Sequence, residues 1–569
     1  MRLARIARHV LVGALALAAA EFGMRAAGVL DPTEIHDPYL GLPGTAPLFR
    51  ATTAEDGTVV RRTSPNKSKN YRDQEFPERK PQDEFRVFVV GGSSIFAERL
   101  QKPDASITNM LEISLRACMP GRRPRVVNAG GGAMGSLQNL EVVREIVEYE
   151  PDLVVLYPEG GEKNLVPPMP AGVLARGDDL NPLRVDVRRV VAPFRVYVAA
   201  REAFYALMPG MGSSAFRSPF GAMLAYAITN PFGEETFTKL FEFKQDRVPV
   251  LMPDVIPAEE VERANRRFER CLREVVELCE AHSVPLVFVE PMQNLESSFY
   301  LRFHIDPGEL RPGTEAEWRA TYERGLELKK AGEYEAALDV LRSVRDFYVE
   351  DADEILAYYI AECDAALGRY DEQIAELLAN YERRTLIRSV LEVAADEDVP
   401  LVRPYPDLVA AAGGRLPGHA WFRDSVHPLA TTNRVLVRSL MRELTELGIA
   451  RPLEPDDPRR VQAETRIDAL VDASPPEKSV LITMAMSRGD FDEAVRIGRS
   501  IPRRELVASP VYMYYFGWAL TRAGRMDEAR ALYDVLVSNS KANPSDLLDM
   551  STDEALIRNA YQGDVMAIL

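Results

Sequence analysis

The chain is poor in the residues that mark several common classes of protein. It has only four cysteines in 569 residues, Cys118, Cys271, Cys279 and Cys363, and none forms a CxxC pair. That excludes the usual structural zinc frameworks. Cys271 and Cys279 fall on one predicted helix, where eight positions span about 12 Å, too far for a direct bridge. All four are therefore read as buried thiols. No long basic stripe occurs beyond the extreme N-terminus, and the formal net charge is −17. Phosphate binding needs clustered Lys and Arg, so no nucleic-acid partner is expected. Neither the GxGxxG spacing of a dinucleotide site nor the GxxxxGK of a phosphate loop is present. Hydrophobic residues at 46% and charged residues at 27% exclude general disorder. The length fits three or four domains.

The longest N-terminal apolar run, Val10 to Ala20, has eleven residues, too few to span a bilayer. It follows Arg2, Arg5 and Arg8, the charge-then-apolar order of an export signal. Ala18-Ala19-Ala20 offers a small-x-small cleavage point. Continuation through Gly23 to Leu30 would instead give an anchor that tolerates Glu21 and Arg25. Residues 1–30 are thus read as a signal peptide or membrane anchor that places the chain on the periplasmic side of the cell envelope. The competing reading is an amphipathic first helix of a cytoplasmic protein.

Residues 31–84, rich in Pro, Gly, Thr and charge, read as a linker wrapping the first domain. An α/β rhythm then begins. Phe85–Val90 is a β-branched and aromatic run closed by Gly91-Gly92-Ser93-Ser94. A helix follows through Met110 and Leu115, then a strand at Arg125–Asn128, a helix at Leu140–Tyr149 and a strand at Asp152–Tyr157. Continuous apolar strands alternating with helices imply a parallel sheet covered on both faces. Residues 85–165 form its first part. Residues 166–256 interrupt it with a proline-rich, lid-like insertion. Residues 257–312 resume it with a helix Ala258–Ala281 and the strand Pro285–Glu290. Residues 385–447 complete it with helix Leu386–Ala395, strand Val399–Val402 and a last helix from about Thr432 to Leu447.

Two remaining segments carry a repeat. Ala331-Gly-Glu-Tyr-Glu-Ala-Ala-Leu338 and Leu367-Gly-Arg-Tyr-Asp-Glu-Gln-Ile374 lie 36 positions apart. Arg488-Gly-Asp-Phe-Asp-Glu-Ala494 and Ala523-Gly-Arg-Met-Asp-Glu-Ala529 lie 35 apart. Glycine suits the turn between two helices, and alanine suits their closest contact. The pattern resembles tetratricopeptide repeats, inserted at 313–384 and C-terminal at 448–569. Two units per segment are too few for a free solenoid, so each is expected to pack on the α/β part.

Ser93 stands directly after the first strand, where a hydroxyl is exposed at the carboxyl edge of the sheet near a helix N-terminus. Asp424-Ser-Val-His427-Pro428 precedes the last helix. Only six histidines exist, and a carboxylate three residues before an imidazole can hold its Nδ1–H while Nε2 faces a serine hydroxyl. His9 lies in the signal and His36 in the linker. His282 ends a helix, His304 sits in a weakly patterned stretch, and His419 has no acidic neighbour in sequence.

Taken together, these blocks resemble the SGNH (GDSL-like) hydrolase family, and within it the large bacterial proteins with inserted tetratricopeptide repeats. Asn70-Tyr-Arg-Asp-Gln-Glu-Phe-Pro77, Asn128-Ala-Gly-Gly, Glu290-Pro-Met-Gln-Asn-Leu295 and Phe422-Arg-Asp-Ser-Val-His-Pro428 carry the resemblance over about residues 70–447. It implies a three-layer α/β/α fold with a parallel sheet, plus helical tetratricopeptide-like segments. Ser93 matches the nucleophile, His427 the base and Asp424 its orienting partner. The usual Asp of the first block is Gly92 here. Ser93 and Ala133 match the backbone donors of the oxyanion hole. The third donor is an Asn side chain that normally follows the third strand as Gly-x-Asn. By counting from Pro151 its place falls on Gly161, and a loop three residues longer would bring in Asn164 instead.

The resemblance implies an exported esterase or acyltransferase acting on an acyl ester, such as an acetylated glycan or envelope polymer, with no metal or organic cofactor. The repeats would bind protein partners. The alternative is a degenerate hydrolase domain serving as an envelope scaffold through its repeats, which the missing third-block Asn favours.

Overall fold

The computed structural model describes residues 2–35, 46–159 apart from 98, 99, 101 and 133, 175–176, 179–180, 190–200, 258–295, 310–348, 354–383, 385–423, 426–487, 490–508 and 510–540. Among the described residues ten strands lie in three sheets. β1 (Phe49–Thr53), β2 (Val59–Thr63) and β3 (Glu75–Pro77) form an antiparallel meander. β4 (Glu84–Gly91), β5 (Arg123–Gly130), β6 (Leu153–Tyr157), β9 (Leu286–Val289) and β10 (Leu401–Val402) form a five-stranded sheet in the order β10-β9-β6-β4-β5. β7 (Ala175–Arg176) and β8 (Asp179–Leu180) pair antiparallel. The fold is mixed α/β, with a parallel sheet and many helices.

β4 is central, and all eight of its residues are buried. It runs parallel to β5 on one side and β6 on the other, while β6 runs parallel to β9. A strand covered on both faces needs apolar side chains pointing both ways, which explains the unbroken Val87-Phe-Val-Val90 run. Each such side chain contributes about 1.5–3 kcal/mol on burial. A buried charge beside this strand is paired. Buried Arg86 donates to Glu84 at 2.6 Å, to the Tyr149 carbonyl at 2.8 Å and to the Pro77 carbonyl at 3.0 Å.

The chain divides into two compact units. The first comprises residues 1–96, 121–288 and 393–400. Here the stretch expected to be a linker departs from expectation, because residues 49–77 hold the meander. Phe49 and Phe76 stack edge-on at 5.1 Å, and Phe76 meets Phe88 of β4 at 5.5 Å. Helix Arg2–Ala26 presents exposed Leu11, Val12, Leu15, Leu17 and Phe22. Among the described residues no helix is long and apolar enough to cross a membrane. Most of the insertion at 166–256 lies outside the described residues.

The second unit comprises residues 97–120, 289–392 and 401–569. Its helices pair as Glu315–Lys330 with Tyr334–Val344, Glu354–Ala366 with Tyr370–Arg383, Lys478–Ser487 with Phe491–Arg499, and Pro510–Arg522 with Met526–Ser540. Three repeat glycines, Gly332, Gly368 and Gly524, adopt φ of +79°, +76° and +72° between their helices, a conformation a Cβ disfavours. The repeat alanines Ala337, Ala494 and Ala529 are fully buried in the helix contacts. The four cysteines form no disulfide. Burial pushes the Cys279 thiol up to about 12, which keeps it protonated and unreactive.

Candidate active site

The geometry around Ser93 is set by three strands ending level. Gly91 of β4 lies opposite Gly130 of β5 and Tyr157 of β6. The chain then turns directly into helix Ser93–Phe96, which folds back over the strand ends. Space there is so short that a Cβ on Gly91 would lie 2.7 Å from the Tyr157 carbonyl oxygen and 2.6 Å from Ile95. A Cβ on Gly130 would meet Ile95 at 2.6 Å. Glycine is therefore imposed by close approach, and the turn is a packed junction.

Asn128 locks the junction from beneath. Its buried Nδ2 donates to the Ile95 carbonyl at 2.6 Å, and its Oδ1 accepts from the Gly130 amide at 3.1 Å. Gln74 in turn accepts the Asn128 N–H at 3.0 Å and donates back to the Asn128 carbonyl. Arg72 donates to the Phe96 carbonyl at 2.9 Å, the Asn70 carbonyl accepts from Gly132 at 2.9 Å, and Tyr71 bridges Gly131. The Asn70–Pro77 block thus braces the turn through side chains and backbone together.

Ser93 is half-buried, whereas Ser94 is only 3% exposed. Glu159, two residues beyond β6, reaches both. Its Oε1 and Oε2 accept from the Ser94 N–H at 3.0 and 3.3 Å, and Oε2 accepts from the Ser93 hydroxyl at 3.5 Å. A Cβ on Gly92 would sit 2.2 Å from Glu159 Oε2, so the bare backbone at 92 is what admits the carboxylate. Sequence reasoning passed over Glu159. Two signals could have found it, since a carboxylate is missing at position 92 and one is gained two residues before Gly161, where the Gly-x-Asn pattern has glycine.

Of the expected oxyanion donors, Ser93 is in this junction. Ala133, Gly161 and Asn164 lie outside the described residues, as does Asp424.

His427 belongs to the second unit and sits half-buried on a tight loop. Phe422, fully buried, bridges Pro428, and the His427 carbonyl accepts the Arg423 N–H at 2.9 Å. The Trp421 carbonyl accepts both the Leu429 N–H at 2.9 Å and the Thr432 hydroxyl. Helix Ala430–Glu446 starts directly afterwards. Arg423 pairs with Glu477 at 2.8 Å.

No family model matches the chain, and no curated protein matches it. Among solved structures it is similar to a Bacteroides fragilis protein named a "putative acylhydrolase". The TM-score is 0.25 and the identity 12%, over 65% of this chain and 91% of that one. At that score the likeness is too distant to assign an activity.

The second unit also holds the Glu290–Leu295 block. Tyr405 donates to the Gln293 carbonyl at 3.0 Å and accepts its N–H at 2.7 Å. Tyr381 and Tyr358 bond the carbonyls of Pro291 and Leu295. Buried Asn294 pairs with His419 Nδ1 at 3.1 Å, giving that histidine a polar partner that its sequence neighbours do not show. Burial holds the Glu290 carboxyl above the usual carboxylate range, and Arg403 at 3.4 Å opposes that rise. A cavity of about 450 Å³ also opens in this unit, lined among others by Cys118, Val437, Met441 and Ile467 and by none of the expected site residues.

Proposed function

We propose that the chain is a serine-dependent acyl-ester hydrolase or acyltransferase. The observation that carries this reading is the Ser93 junction. A half-buried hydroxyl tops the central parallel strand on a turn fixed by glycine packing, while its neighbour Ser94 is buried. In this reading Ser93 Oγ attacks the acyl carbonyl as His427 takes its proton and Asp424 orients the imidazole. The backbone amides of Ser93 and Ala133, with Asn164 where the loop supplies it, stabilise the oxyanion. The leaving alcohol takes the proton from His427. Water, or an acceptor hydroxyl, then releases the acyl group from Ser93. The chemistry needs no metal or organic cofactor.

The substrate class is an acyl ester, with an acetylated glycan of the cell envelope as the proposed example. Arg2, Arg5 and Arg8 ahead of the apolar run support export to the periplasmic side, cleaved or anchored. Protein partners would bind through the helical repeats. The second reading, a degenerate scaffold, is favoured by Gly161 standing at the counted position of the oxyanion Asn.

Labelling with a fluorophosphonate probe decides between them. The enzyme reading expects labelling that Ser93→Ala abolishes and Ser94→Ala largely retains. Absence of labelling in the folded wild-type chain would overturn the enzyme reading and favour the scaffold.

A further inference from the structure

The contact between Glu159 and the serine turn has a geometry that the nucleophile reading leaves unused. We propose that Glu159 is a positioning residue for Ser93, acting from the end of the neighbouring strand through the gap left by Gly92. The proposal rests on the reading of Ser93 as nucleophile and names a further residue on which that reactivity depends.

Three observations converge. The carboxylate accepts from the Ser94 N–H with both oxygens, at 3.0 and 3.3 Å, and so fixes where helix Ser93–Phe96 begins. It also lies 3.5 Å from the Ser93 hydroxyl, at the outer limit of a hydrogen bond, so the carboxylate stands beside Oγ. Finally, a methyl group at position 92 would lie 2.2 Å from Oε2 and 3.1 Å from the Glu159 Cβ, so the arrangement requires glycine there. Gly92 has no positive φ, unlike the glycines at the helix turns. Backbone conformation therefore does not demand glycine at 92, and room for Glu159 does.

The two donors are consecutive along the chain, one backbone and one side chain. A single carboxylate meeting both turns two soft torsions into one defined geometry. A nucleophile displaced by about 1 Å loses on the order of a hundredfold in rate, which sets the scale expected when this brace is removed.

The test measures the acylation rate at Ser93 with the fluorophosphonate probe, in the full chain, for four variants. Glu159→Ala should slow labelling by about ten- to a hundredfold in a chain that is still folded at the assay temperature. Glu159→Gln keeps an acceptor oxygen for the Ser94 amide and should recover most of the rate. Gly92→Ala leaves the carboxylate in the chain but pushes it away, and should lose as much as Glu159→Ala. Combining Gly92→Ala with Glu159→Ala should cost little more than either alone, because both remove one contact. Unchanged or faster labelling in Glu159→Ala overturns the positioning role, and so do fully additive losses in the double variant. These outcomes leave the nucleophile reading standing so long as Ser93→Ala abolishes labelling. If the folded wild-type chain does not label at Ser93, the nucleophile reading fails and the positioning role fails with it.

Discussion

The serine turn and the histidine turn are both short connections into a helix, yet they are specified in opposite ways. The serine turn is defined by exclusion, since Gly91, Gly92 and Gly130 each stand where a single added carbon would strike backbone or side chain. The histidine turn is defined by closure. Its ends meet through the Phe422–Pro428 bridge and the Trp421 carbonyl, and its flanks carry ordinary side chains. A turn built by exclusion tolerates almost no added volume. A turn built by closure tolerates many side chains provided its backbone bonds survive.

That contrast can be broken by substitution. The largest effect is expected from Asn128→Ala, which strips a partner from the Ile95 carbonyl and from the Gly130 amide in a buried site. Two such losses should cost about 2–4 kcal/mol in urea denaturation, and Ser93 labelling should fall with them. Full stability in that variant would mean that the junction is not locked by Asn128. Gly91→Ala comes next, at about 1–3 kcal/mol, because the Tyr157 carbonyl belongs to β6 and cannot swing aside. Thr432→Val is the smallest, at about 1 kcal/mol, since the Trp421 carbonyl keeps the Leu429 amide as a donor. A shift in its midpoint larger than that of Gly91→Ala would reverse the contrast.

The parallel sheet was legible because its strands are buried on both faces. Runs such as Phe85–Val90 and Asp152–Tyr157 coincide with β4 and β6 to within a residue. The long helix Ala258–Ala281 was legible to its ends. The meander at 49–77 was not. Its strands Phe-Arg-Ala-Thr-Thr and Val-Val-Arg-Arg-Thr are mostly half-buried or exposed and polar, with Asp56-Gly57 between them, so their composition matches a loop. Ser93 was legible as the residue after a strand and a glycine pair. Glu159 was not, because its contact depends on a missing side chain far away in sequence. The Asn294–His419 pairing likewise appears only once the tyrosines Tyr358, Tyr381 and Tyr405 have folded their segment.

The register of β6 with β9 also bears on how this chain can vary. Val154 pairs with Leu286, and among the described residues the sheet has no strand between Tyr157 and Leu286. A second excursion runs from β9 at Val289 to β10 at Leu401 and carries two helix pairs. Loop-closure entropy grows only with the logarithm of length, so each excursion costs about 2 kcal/mol more than a minimal crossover of a dozen residues. Length is therefore cheap at these two gaps, while volume is forbidden at the glycine junction between them and β5. Length can be added in the excursions beyond Glu159, whereas the turn accepts no methyl group at Gly91 or Gly130.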